Sequence, residues 1–560
     1  MNIDVSAAIF RYRCGIRLMV LTALIALIAL TALTSFAAGV RAVTLPVPQN
    51  IANGATVLLQ CGVIYQGTLA LNRKTGVTVK TSGDCGKAGI SPRRAVSGWI
   101  RQSGNIYSAP VDFIPVQVTI GSDLLGAAHW PNQGWATSTA RLPAGVLAGA
   151  TLVTLVNQSV IRTRTLAGNL FSAAGPFYVE GKLWMLDIPG EWAVRKGRLY
   201  VWAPDGRSPE GRAWAAPDAN GIDADDSTGI VIDGVTIFSA SDGISAHGAS
   251  RLTVRNTTII DSYRDGIWAS GSDGLQVQGS SILNARRNGI DGWYGINGAV
   301  ITASRVSNTG MVGMPSASDA AIMFGAGANN RIEQVRISNS AYHGINIMQN
   351  RHTSLRASVI ETACVRLTDC GAIYTSARDR QPLDQLIESN TVRNTRGREA
   401  IGIYLDDYAN GVTVRANTLV NNERALVIHD GYNNVISGNT FASSAVLHIG
   451  LSQSAGRIHH VRITGNTFQS AGGEQTFNLE GANYRRFATY DDNIYISHPW
   501  AVFSRAWDGR SAAIDTSYQG WKRLMQQDKH SIAIDAVSHA APAAVAAQTS
   551  AATGAAAVPR

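Results

Sequence analysis

Two short segments concentrate groups able to move protons. Asp369-Cys-Gly-Ala-Ile-Tyr-Thr-Ser-Ala-Arg-Asp379 holds two carboxylates, a tyrosine and an arginine, and Gly402-Ile-Tyr-Leu-Asp-Asp407 holds a tyrosine and two adjacent carboxylates. Adjacent carboxylates repel, which raises the pKa of one and readies it to act as an acid. Aromatic rings can pack on sugar faces while carboxylates bond hydroxyls or transfer protons. The two segments act together only if the chain stacks them side by side.

The spacing of small and aliphatic residues predicts that stacking. Gly243, Gly266 and Gly289 lie 23 residues apart in Asp242-Gly-Ile, Asp265-Gly-Ile and Asn288-Gly-Ile, and the steps from Ile322 to Ile345 and from Ile403 to Leu426 are again 23. A period in the low twenties is too short for helix pairs and indicates a solenoid of strand coils. Runs such as Leu252-Thr-Val and Val412-Thr-Val are short, β-branched and bounded by Gly, Asn or Ser, as strands are. Asn-Thr recurs at Asn256, Asn390, Asn417, Asn439 and Asn466, each just after such a strand. Asn tolerates the left-handed backbone of a tight corner, and stacked amides can bond from coil to coil.

These features resemble the right-handed parallel β-helix of the pectate-lyase-like superfamily over residues 215 to 500. The resemblance implies an all-β, right-handed single-stranded parallel β-helix. Stacking Ile244, Ile267, Ile290, Ile322, Ile345, Ile373, Ile403 and Leu426 sets equal offsets about 4.8 Å apart from coil to coil. The neighbouring columns then gather Asp291, Trp293, Tyr294, Tyr374, Tyr404, Asp406, Asp407, His429 and Asp430 on one face. That face is the expected substrate groove, with His343 and Arg378 as further contacts; Arg378 could hold a substrate carboxylate or pair with Asp379.

The two proton-moving segments also resemble a pattern in β-helix glycoside hydrolases, notably glycoside hydrolase family 110, whose members remove α-linked galactose with inversion. The resemblance implies a general base from Asp406 and Asp407 and an acid on the preceding coil. Asp379 and Asp369 both lie near that coil, whereas Ser376 takes the directly stacked place. Carboxyls about 5–5.5 Å apart retain configuration and those about 6.5–9.5 Å apart invert it, so neighbouring coils admit either.

Two other readings stay open. A polysaccharide lyase or uronate C5-epimerase would need a base, and no lysine occurs between Lys196 and Lys522. Arg378, Arg396 or Arg398, or Tyr404 with His429, would have to serve. No metal spacing is evident, so no cofactor is expected; a calcium ion could sit between Asp406, Asp407 and Asp430, because hard cations favour clustered carboxylates. The third reading is a polysaccharide-binding β-helix without catalysis.

Arg11, Arg13 and Arg17 followed by an apolar stretch from Met19 to Ala38 predict a secretory signal over residues 1–42, hence a secreted or periplasmic protein. An uncleaved membrane anchor is the alternative; after cleavage no stable membrane insertion is expected. The net charge is +9; losing Arg11, Arg13, Arg17, Arg41 and Asp4 with the signal leaves about +6, a modest excess. No basic cluster with interleaved aromatics appears, so nucleic acid is not an expected partner; a polysaccharide or oligosaccharide is. Cys61 with Cys85 and Cys364 with Cys370 are expected disulfides, in keeping with export. Residues 43–95 read as first coils, 96–212 as a β-rich insert, 213–500 as the helix, 501–538 as a helical cap and 539–560 as an Ala-rich disordered tail. The run Trp184-Met-Leu-Asp-Ile-Pro-Gly-Glu-Trp resembles a segment found ahead of the helix in many bacterial polysaccharide-processing β-helix proteins.

Overall fold

A computed structural model describes residues 43–136, 150–156, 159–164, 176–311, 319–498 and 501–535. The expected signal sequence and Ala-rich tail lie outside these residues. Three sheets of 15, 14 and 13 strands run the length of the molecule, paired in parallel from coil to coil except for Ile514–Thr516, which closes the 14-stranded sheet antiparallel. Each coil contributes one strand to each sheet, and aliphatic side chains fill the space between. Ile244, Ile267, Ile290, Ile322, Ile345, Ile373, Ile403 and Leu426 stack in the register that the sequence period implies, and all eight are fully buried.

The recurrent glycine has a steric cause. A Cβ on Gly266 would meet Ile282 Cγ2 at 2.4 Å and the Gly289 carbonyl oxygen at 2.5 Å. The backbone there must approach the next coil more closely than any side chain permits.

The asparagine ladder forms. Asn390, Asn417, Asn439, Asn466 and Asn493 pass amide hydrogen bonds of 3.0–3.2 Å from coil to coil. Two details differ from the sequence reading. The left-handed residue is the one before each ladder position: Ser389, Ala416, Gly438, Gly465 and Asp492 all have φ between 54° and 66°. Asn256 is itself left-handed at φ 51° and bonds Asp233, while Thr257 fills the buried place ahead of the strand.

Between Ser91 and Ile222 the chain leaves the helix to build an eight-stranded and a four-stranded sheet. These have their own cores, one around Val118, Leu199 and Val201 and another around Phe177, Val179 and Met185. At the far end, an α-helix Tyr518–Met525 closes the last coil. Trp521 is buried and stacks on Phe477 with ring centroids 4.8 Å apart. The cap is less helical than expected: Ser504–Trp507, Ile514–Thr516 and Ile532–Asp535 are strands, which continue the sheets and cover their apolar end. Disulfides join Cys61 to Cys85 and Cys364 to Cys370. Among the described residues no helix is long and apolar enough to cross a membrane.

Candidate active site

The 14-stranded sheet carries the groove. Its relevant strands are β1 Ile290–Gly292, β2 Ala320–Phe324, β3 His343–Asn346, β4 Cys370–Ser376, β5 Ala400–Asp406, β6 Arg424–His429, β7 Leu447–Ser452 and β8 Gln475–Glu480. Strand alternation sends Ile403 and Leu405 into the core, so Tyr404 and Asp406 project outward. An apolar floor of Met348, Tyr374, Ile401, Tyr404, Val427 and Leu447 lies outside the main core, with Trp293 packed on its edge.

Asp406 is the hub. Its Oδ2 accepts a 2.9 Å hydrogen bond from the Tyr374 hydroxyl, and its Oδ1 lies 2.8 Å from His429 Nδ1. His429 Nε2 lies 2.9 Å from Ser454 Oγ. Burial alone would push the Asp406 carboxyl up, but the His429 hydrogen bond, a backbone N–H, the imidazole charge and Tyr374 together hold it below the usual carboxylate range. The Asp406 hydrogen bond in turn raises His429, against burial. Burial, then the charge of Asp406, pushes the Tyr374 and Tyr404 hydroxyls well above their ordinary range.

Asp369 enters from the turn ahead of β4, with φ 53°. Burial and then the nearby charge of Asp406 raise its carboxyl, opposed by the Tyr404 hydroxyl. An open cleft of about 130 Å³ is lined by Asp369, Tyr404, His429, Glu399, Arg424 and Glu480, among others. Two carboxylates near one aromatic hydroxyl therefore sit in environments that push them in opposite directions.

Several expected contacts are employed elsewhere. Asp379 pairs with Arg351 and shares no contact with Asp406. Arg378 donates to Asp407 at 3.0 Å rather than to Asp379. Asp430 is buried and accepts the backbone N–H groups of Ser454 and Ala455 at 2.8 and 2.9 Å, anchoring their loop. His343 is 2% exposed beneath Tyr374, its Nδ1 accepts the Gly371 N–H at 3.2 Å, and burial drives its pKa down to about 3. Asp291 lies buried near Asp265 and Arg287, away from the cleft. Tyr294 is 76% exposed and projects into solvent.

Glu399, Arg424, Asn478 and Glu480 line the cleft but escape the sequence reading. The stacked column, continued two coils past Leu426, runs through Ile449 and Phe477. Its outward positions are then Ser452 and Glu480, which the same arithmetic reaches. Glu399 and Arg424 sit at the opposite, N-terminal ends of their strands, which those offsets never sample.

Asp406, Asp407 and His429 bring one donor atom each within 4.8 Å of one another. That set includes an imidazole and excludes Asp430, whose carboxylate is turned to the Ser454 loop. Calcium favours all-oxygen shells, so the donors suit it poorly.

A family model described as a right-handed β-helix region matches residues 242–377 and 294–484. No curated protein matches the chain. Among solved structures, a glycoside hydrolase shares 12% identity at a TM-score of 0.50, covering 75% of this chain and 89% of its own. XylC in complex with xylose shares 10% at 0.41, covering 86% and 78%. The A-module of the Azotobacter vinelandii mannuronan C-5 epimerase AlgE4 shares 13% at 0.37, covering 56% and 84%. The coil register and the family model make the chain a right-handed parallel β-helix, and at such identities the structural likeness speaks to fold alone.

Proposed function

We propose that this right-handed parallel β-helix is a carbohydrate-active enzyme, a glycoside hydrolase that works with Asp369 and Asp406 as its carboxyl pair. One observation carries the reading: both carboxyls lie beside the Tyr404 hydroxyl, yet Asp369 is held up and Asp406 is held down. Pairs of titratable groups driven apart in this way mark acid and base roles. Asp369, protonated, donates to the departing glycosidic oxygen. Asp406, ionised, either orders a water or attacks the anomeric carbon, and Tyr374 and His429 fix its two oxygens. Asp407 holds Arg378 at the rim. Tyr404 and the apolar floor offer a face on which a sugar ring can pack.

The solved structure at TM-score 0.50 is itself a glycoside hydrolase, which is consistent with this chemistry without specifying it. No step needs a metal. A second reading, a polysaccharide lyase or uronate C5-epimerase, has Tyr404 and His429 in one cleft in its favour. Against it, Tyr404 is pushed up rather than down, which opposes its ionising to act as a base.

The test is turnover of a polysaccharide panel by the protein and its Asp406→Asn and Asp369→Asn variants. New reducing ends without ultraviolet-absorbing unsaturated products, lost in both variants, support the hydrolase. Unsaturated products overturn it in favour of the lyase.

A further inference from the structure

Arg424 lines the cleft, and its side chain has no partner among the described residues. Its Nε is buried with no hydrogen-bond acceptor, and it forms no ion pair among the described residues, although Asp369, Glu399 and Glu480 line the same cleft. Glu480 is engaged instead by Ser452 Oγ at 3.2 Å and Asn478 Nδ2 at 3.1 Å. The position itself is unusual for an arginine. In the row Gly371, Ile401, Arg424, Leu447, Gln475 its direct neighbours are aliphatic floor residues. A residue serving the fold alone would be aliphatic there. A buried guanidinium N–H left unpaired is costly, and no acceptor among the described residues meets it.

We propose that Arg424 receives a carboxylate of the substrate, so that the cleft selects a saccharide carrying uronate units. A guanidinium presents its donors as a planar fork that matches a carboxylate in two places at once. Arg378, the other arginine near the hub, is already occupied by Asp407, which leaves Arg424 as the group free to serve this purpose. The surrounding acids make the assignment demanding. Without Arg424 the cleft is purely acidic apart from His429, and it would repel an anion; with it, a uronate finds one matched position. This inference rests on the cleft being the saccharide site proposed above, but not on which reaction follows binding.

The test uses the full chain carrying Asp406→Asn, which prevents turnover, and calorimetry against galacturonate, mannuronate and glucuronate-containing oligosaccharides. Each is compared with the same oligosaccharide after its carboxyls are reduced to alcohols. The expected result is at least tenfold tighter binding of one acidic form than of its reduced counterpart, weakened by added salt. Arg424→Gln should invert that preference, and Arg424→Lys should keep part of it, since a point charge remains but the fork does not. Arg424→Gln should melt close to its parent, because no hydrogen bond or ion pair among the described residues is lost. Equal binding of both forms, binding of no acidic form, or an unchanged preference in Arg424→Gln would overturn the proposal. Arg424-dependent binding without any new reducing ends in the unsubstituted protein would leave it standing while sinking the hydrolase reading. Reducing ends from neutral substrates, unaffected by Arg424→Gln, would do the reverse.

Discussion

Asp406 Oδ1 and His429 Nδ1 lie 2.8 Å apart on adjacent coils, one above the other in the same outward column. That contact links the fold's repeat directly to the electrostatics of the cleft. It exists because the register that stacks Leu405 on Ile428 places the residue following each one side by side.

The pair should give a pH-dependent contribution to stability. His429 is raised on folding, so its share is fully present below its ordinary pKa of about 6.5 and is lost as pH climbs through the raised value. Asp406 is lowered, so its share is present above about 3.9 and is lost as pH falls through the lowered value. Asp406→Asn should remove on the order of 1 kcal/mol between these limits and return the His429 titration toward its ordinary value. Imidazole NMR titration of the two proteins checks this; an unchanged His429 pKa would contradict the pairing.

Asp369→Asn should lower kcat roughly 100- to 10,000-fold, the usual worth of a positioned general acid. It should also abolish the alkaline limb of the pH–rate profile, since that limb reports loss of the raised Asp369 proton. Asp379→Asn should leave the rate largely intact, because Asp379 pairs with Arg351 on the surface. A larger loss from Asp379 than from Asp369 would exchange their roles.

Asn439→Ala should cost about 2–4 kcal/mol, measured by denaturant unfolding. Its Oδ1 accepts from Asn417 N and Nδ2 at 2.9 and 3.0 Å, and its Nδ2 donates to Val414 O at 2.9 Å. Removing the amide leaves several buried partners unsatisfied at once.

Chelation should change neither melting temperature nor turnover. Asp406 and His429 already bond each other, and Asp430 is committed to the Ser454 loop. A loss of activity with EDTA, restored by a divalent cation, would place a metal among Asp406, Asp407 and His429.

The coil register was readable because it rests on one repeated steric fact. The glycine of each Asp-Gly-Ile or Asn-Gly-Ile cannot bear a Cβ, and the isoleucine after it must point inward. Tyr374, Tyr404, Asp406 and His429 followed from counting onward from that isoleucine. What counting could not supply was the competition for each side chain. Arg351, 28 residues before Asp379, captures that carboxylate, and Asp407 captures Arg378. Asp369 was distinguishable from Asp379 only once the turn ahead of β4 directed it toward Tyr404. His343 looked like a groove residue, but the bulk of Tyr342 and Tyr374 stacks over it at 3.9 and 4.3 Å. Arg424 was hidden because its significance lies in having no partner, a property that no spacing encodes.

The most direct test of the central claim is the pH–rate profile of reducing-end release from a saccharide that the protein turns over, recorded for the protein, Asp369→Asn and Asp406→Asn. The expected profile is a bell whose acid limb lies below the usual carboxylate range and whose alkaline limb lies above it. Asp369→Asn should erase the alkaline limb, and Asp406→Asn should abolish turnover. A profile whose two limbs survive Asp369→Asn, or release that persists in Asp406→Asn, would contradict the assignment of this cleft as the hydrolytic site.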